Sequence, residues 1–181
     1  MATAIPVWAN PLTEPKRKYK FILNIAGIPA YVVKTTDRPT ITIGETKHEF
    51  LVHDFKFPGR VSWNDINISL VDPIDPDVSS RLLALVRNAG YVYPGDFSAS
   101  PSDPNYLRKS VGKASFIDQL GQVTIDTLNT AGETIETWRL NSVWVKPVTY
   151  NQMSYSDEGL IELGLNISYD WAELETFSPT E

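Results

Sequence analysis

Few side chains in this sequence are placed to do chemistry, and their spacing decides most of what they can do. The only two histidines, His48 and His53, stand five residues apart in a run, Thr46 to Phe57, that reads as a single strand. An odd separation on one strand sends them to opposite faces, so the pair cannot chelate one metal ion. Asp72, Asp75 and Asp77 imitate the start of a calcium loop, but Pro73 and Pro76 interrupt it and no downstream glutamate completes it. Helix capping is the better reading of those carboxylates. The sequence has no Gly-x-Ser-x-Gly elbow to present a nucleophile, no phosphate-binding glycine loop and no His-Glu-x-x-His helix. Cysteine is absent, which removes thiolate nucleophiles, thiolate metal sites and disulfides together. Asn67-Ile68-Ser69 and Asn166-Ile167-Ser168 fit the glycosylation pattern in composition only, because both fall in mid-strand. Catalysis is therefore the least expected class of function, and no cofactor is expected.

The elements that must position these residues are mostly strands. Ile66, Ile68 and Leu70 alternate with Asp65, Asn67 and Ser69, giving a strand with one dry and one wet face. The strand stops at Asp72-Pro73. Asp75 is then placed as an N-cap, Pro76 as the first helical residue and Asp77 in the first turn, where the helix dipole favours negative charge. Val78, Leu82, Leu85, Val86 and Ala89 follow on one helical face, and Gly90 supplies a left-handed C-terminal cap. These signals predict one helix over about residues 76–89. Near the C-terminus Ile161, Leu163, Leu165, Ile167, Tyr169 and Trp171 alternate with Glu162, Gly164, Asn166, Ser168 and Asp170. That pattern predicts one unbroken strand about 35 Å long, at roughly 3.3 Å per residue, longer than a typical globular strand.

Further strands are expected over Tyr19 to Ile25 and Tyr31 to Thr36, with turns at Gly27-Ile28-Pro29, Asp37-Arg38-Pro39 and Gly44. A hairpin over Val123 to Lys146 turns at Asn129 to Glu133 and sets Trp138, Leu140 and Trp144 on one side. Trp63, Trp138, Trp144 and Trp171 are expected in the core or at a subunit seam. Proline and serine between residues 91 and 112 predict a long surface loop.

Together these segments resemble the tube proteins of contractile bacteriophage tails, a family related to Hcp and to tailocin tube proteins. The resemblance rests on the strand WNDINISLVD before the helix, the closing strand LGLNISYDWAEL, the first strand YKFILNI and the hairpin arm ETIETWRLNSVWVKP. It implies a mainly β fold with one α-helix, a small antiparallel β-barrel or sandwich in one domain (16–173); an extended N-terminal arm (residues 1–15) and a Pro/Ser/Asp-rich insertion near 94–105 depart from the family's pattern, and an acidic C-terminal tail (174–181) follows the domain. It also implies six-membered rings stacked into a tube through which DNA leaves the capsid. The implied partners are further copies of the chain, the tail sheath, and baseplate and terminator proteins. The implied location is the virion, after assembly in the host cytoplasm.

On this reading Asp65, Asn67, Ser69, Glu162, Asn166, Ser168 and Asp170 line the lumen or another hydrated surface. Val7, Trp8, Phe55, Phe57, Pro58 and Gly59 make subunit contacts. Lys16, Arg17, Lys18 and Lys20 begin a solvated strand or meet an acidic patch on the next ring. A baseplate tube initiator, a tailocin tube or a type VI secretion tube are alternatives within this neighbourhood, and a carbohydrate-binding β-sandwich is a more distant one.

Composition agrees. With 181 residues, 42% hydrophobic and 21% charged, the chain suits one domain with a real core. No apolar run approaches the roughly 20 residues needed to cross a bilayer, and the first residues lack the order of a signal peptide. A net charge of −6 opposes a tight grip on nucleic acid, yet a conduit must let phosphate slide past.

Overall fold

The computed structural model describes residues 14–94 and 110–177. Val7, Trp8 and most of the loop expected after the helix lie outside that range. Ten strands and two α-helices are described: β1 (Phe21–Asn24), β2 (Val33–Thr36), β3 (Ile41–Phe50), β4 (His53–Trp63), β5 (Ile66–Val71), α1 (Val78–Asn88), α2 (Lys113–Leu120), β6 (Val123–Leu128), β7 (Thr134–Asn141), β8 (Trp144–Tyr150), β9 (Glu162–Ser168) and β10 (Trp171–Thr176), with one 3-10 turn at Ala30–Val32, where the strand expected from Tyr31 starts two residues late. They form two four-stranded antiparallel sheets, ordered β1-β6-β7-β10 and β2-β5-β9-β8, and a separate two-stranded sheet, β3-β4. The architecture is the expected mainly β sandwich, and it is not a closed barrel.

Alternation builds the core. Ile66, Ile68 and Leu70 of β5 lie opposite Ile167, Leu165 and Leu163 of β9, and all six are buried with Leu23, Leu82, Leu120 and Leu140. Each such side chain contributes about 1.5–3 kcal/mol by leaving water.

The long strand expected from residue 161 to 171 bends at Tyr169 and Asp170. Up to Tyr169 the odd residues face inward. After the bend Ala172 packs on the core and Trp171 is exposed, so the alternation slips by one. The same slip occurs beside it between β7 and β8, where Ser142 takes φ 59°. Val143 and Val145 are buried there, and Trp144 between them is partly buried against the core, with the Lys146 ammonium 5.6 Å from its ring. The Asp170 amide donates to the Asn141 carbonyl at 3.0 Å and ties the two bends into one corner where both strands change sheets. Beyond it, β10 pairs with β7 as far as Thr176, so residues 174–176, expected in the tail, belong to the sheet.

The helix begins two residues later than its prolines predict. Asp77, not Asp75, is the N-cap, accepting from the Ser80 amide at 2.8 Å. Asp72 reaches back from the strand end to accept from the Val78 and Ser79 amides at 3.0 and 3.3 Å. Two carboxylates thus satisfy the orphan N–H groups of the first turn. Gly90 ends the helix at φ 115°, and a Cβ there would stand 2.6 Å from the Ser110 carbonyl oxygen. A second helix, α2, was not expected. It is two turns long, is flanked by Gly112 and Gly121, and buries Phe116 and Leu120.

The largest departure is the hairpin. The single strand expected over Thr46 to Phe57 is two strands that turn at Leu51 and Val52. Gly44 does not turn; it lies inside β3 opposite a bulge at Gly59 and Arg60. A Cβ on Gly59 would stand 3.1 Å from the Gly44 carbonyl, so the two backbones cross where side chains do not fit.

Candidate assembly surfaces

Asn67, Ser69, Glu162, Asn166 and Ser168 all project from the outer side of the β2-β5-β9-β8 sheet, because β5 and β9 pair with their dry residues inward. The Asn166 amide donates to Asn67 Oδ1 at 2.8 Å, and the Ser69 hydroxyl donates to Glu162 Oε2 at 3.1 Å. Lys34 also binds Glu162, and Lys146 reaches Asp65 at 2.7 Å. Those hydrogen bonds, Lys146 to Asp65 and Lys34 then Ser69 to Glu162, hold both carboxyls below the ordinary range. The face is therefore hydrated yet matched in charge, acid against base. Asp170 is not on it. It sits in the corner bend and takes two hydrogen bonds from the α2 residue Lys113, at 2.7 and 2.6 Å.

The second surface is the β3-β4 hairpin. Its strands are 10 and 11 residues long, which at about 3.3 Å per residue is roughly 33 Å of hairpin. Every residue in them is exposed except Trp63, which packs on the core at the base. Residues directly opposed in an antiparallel pair share a face. One face carries the cross-strand pairs Thr46 with Phe57, His48 with Phe55 and Phe50 with His53. The other carries Glu45 with Pro58, Lys47 with Lys56 and Glu49 with Asp54. Of the four seam residues expected here, Phe55 and Phe57 thus share the aromatic face, Pro58 lies on the charged one and Gly59 makes the bulge. The histidines, expected on opposite faces, share a face because the turn between them reverses the chain. At the tip Leu51 is 86% and Val52 89% exposed, and Leu51 holds φ 56° in a two-residue turn usually given to Asn-Gly. Such a conformation costs a residue with a Cβ about 1–2 kcal/mol.

The remaining edges are β1 and β10 of one sheet and β2 and β8 of the other. An opening of about 1300 Å³ lies between β1 and β2, with Lys18, Lys20, Lys34 and Arg38 around it. At its rim Glu136, 2% exposed, receives Lys16 from the chain before β1 and Arg38 from the chain after β2, with Trp138 Nε1 donating at 3.1 Å. Burial pushes this carboxyl up, but the Lys16 hydrogen bond and the charges of Arg38 and Lys16 outweigh it and leave it below the ordinary range. Glu136 was missed in the sequence, although its phase with Trp138 and Leu140 places it on the inward side. Asp72 and Asp77, the aspartates of the imitation calcium loop that bind protein groups here, serve the helix start.

No protein-family model matches the sequence, and no curated protein matches it. Solved structures do. A chain of the six-fold symmetrised baseplate of the anti-feeding prophage superposes with a TM-score of 0.59 at 11% identity, over 91% of this chain and 98% of that one. A chain of the sheath-tube complex of the PVC extracellular contractile injection system gives 0.59 at 16% identity, over 92% and 95%. One from the tube-terminating cap of the anti-feeding prophage gives 0.57 at 14%, over 97% and 100%. The chain has the fold found in these components of contractile injection systems.

Proposed function

We propose that this protein is a structural subunit of the tube of a contractile tail. It forms rings of six that stack into a hollow conduit, and it performs no catalysis. The observation that carries this reading is the β3-β4 hairpin: an aromatic face and an apolar tip projecting from a finished core, with no other strand or helix among the described residues lying along them. A two-stranded hairpin is marginal alone in water, and exposed apolar surface of this kind marks a binding site. A second copy of the chain is the partner that a stacked assembly supplies.

Ring closure is supported by the edges of the β1-β6-β7-β10 sheet. Lys18 and Lys20 precede the β1 edge, and β10 exposes Glu173, while its Glu175 is held by Arg139 of β7 at 2.8 Å. Opposite charges on opposite edges of one sheet suit a head-to-tail join, which closes into a ring when the rotation allows. It would also cover edges that otherwise template aggregation.

The charge-matched face of Asn67, Ser69, Glu162 and Asn166 suits a lumen wall along which DNA slides without being gripped, and in the assembled tail the outer wall meets the sheath. A tube initiator or terminator at the ends shares this geometry, and neighbouring genes separate those roles. The glycan-binding alternative finds less support, because Trp63, Trp138 and Trp144 are partly committed to the core.

Phe57→Asp tests the reading. It should abolish stacking while circular dichroism shows a folded chain. Rods formed by the variant as readily as by the parent would refute a docking role for this face.

A further inference from the structure

We propose that the hairpin's docking face is a proton-sensitive clasp: His48 and His53 must both be neutral for the hairpin to seat on a second copy of the chain, so assembly weakens as the pH falls through the range in which imidazole charges. The inference rests on the hairpin being the docking surface. Both of the chain's histidines lie on this one face, within two successive cross-strand rows, His48 opposite Phe55 and Phe50 opposite His53. Imidazole and phenyl rings therefore alternate across both strands. Thr46 and Phe57 make the next row, with no charged group between.

The hairpin's carboxylates are on the reverse side. Glu45, Glu49 and Asp54 alternate onto it with Lys47 and Lys56, and Lys56 lies 3.5 Å from Glu45. Arg60 lies in the bulge, beyond the Thr46 row. Among the described residues no other strand or helix lies along the hairpin, so no other element brings an acidic group to this face to stabilise an imidazolium.

In the free chain both histidines are exposed. Covered by a partner, a charged imidazole among phenylalanines loses hydration and gains nothing, and the neutral form is favoured. Linkage gives the sign: docking takes up neutral histidine only, so lowering the pH opposes it. Because both imidazoles must shed their protons to be covered, the two penalties multiply. Docking of each hairpin then weakens by at least about tenfold between pH 7.5 and 5.5.

The test is sedimentation of the full chain at pH 7.5, 6.5 and 5.5, beside His48→Gln/His53→Gln and Phe57→Asp, with circular dichroism at each pH. The proposal expects the parent to assemble at 7.5 and fall apart by 5.5 while folded, and the double glutamine variant to stay assembled throughout. Equal assembly of the parent at all three values overturns the clasp and leaves the docking face standing. A pH loss that persists in the glutamine variant assigns the effect to other groups and also overturns it. Assembly that survives Phe57→Asp, or no assembly of the parent at any pH, overturns the docking face itself and the clasp with it.

Discussion

Glu136 shows what one residue can do at an open seam. It belongs to one sheet, and the cations it holds enter from the two strands that flank the gap between the sheets. Its carboxyl is held below its ordinary value of 4.5, so the stability it lends is fully present above that value and is lost as the pH falls through the lower, folded one. Glu136→Gln should cost about 1–3 kcal/mol at pH 7, nearer the lower figure because Lys16 and Arg38 remain half exposed and screened. The difference from the parent should shrink towards pH 3 in urea titrations. Equal stabilities at pH 7 would show that the cations are not held by this charge. At this scale the sequence was legible where a residue has one local partner. Asp77 and Gly90 do at the helix ends what aspartate and glycine do there generally, although the cap falls on Asp77 and not Asp75, and Asp72, from another element, takes the Val78 and Ser79 amides. Glu136 was not legible as a binding residue because both its partners are distant in sequence.

Elements were legible where period and punctuation agree. The strand from Ile66 and the turn at Asn129 to Glu133 stand as read, the Asn129 amide donating to the Glu133 carbonyl at 2.9 Å. They failed where punctuation misleads. Gly44 looks like a turn and lies opposite a bulge at Gly59 and Arg60, while the real turn carries Leu51 and Val52, residues that no local rule places there. The phase slips at Ser142 and Asp170 were hidden for a related reason: side-chain alternation continues through a corner, so periodicity alone shows one straight strand. Helix α2 is too short to announce itself. The hairpin's own design gives a prediction at this scale. Like charges oppose each other directly, Lys47 with Lys56 and Glu49 with Asp54, which weakens an isolated pair. Amides of β3 and β4, with those at the β1 and β2 edges, should exchange within seconds to minutes in the monomer and slow at least tenfold in the assembly. Those of β5 and β9 should be protected in both. Edge and hairpin amides equally protected in the monomer would contradict completion by a partner.

For the whole molecule, the two sheets and helices bury a sufficient core, and what remains outside it is directional: a projecting hairpin, two oppositely charged edges and one charge-matched polar face. That combination is what the proposed repeating subunit would use. The fold was read correctly at this scale because it depends on where the dry faces are, which alternation reports. The assembly surfaces were read only as residues without an address, since a sequence shows a wet face or an exposed aromatic without showing what it meets. The most direct test is negative-stain electron microscopy of the purified chain across a concentration series at pH 7.5. Six-fold rings or hollow rods that grow with concentration are the predicted result. A chain that stays monomeric and folded at every concentration would contradict the account.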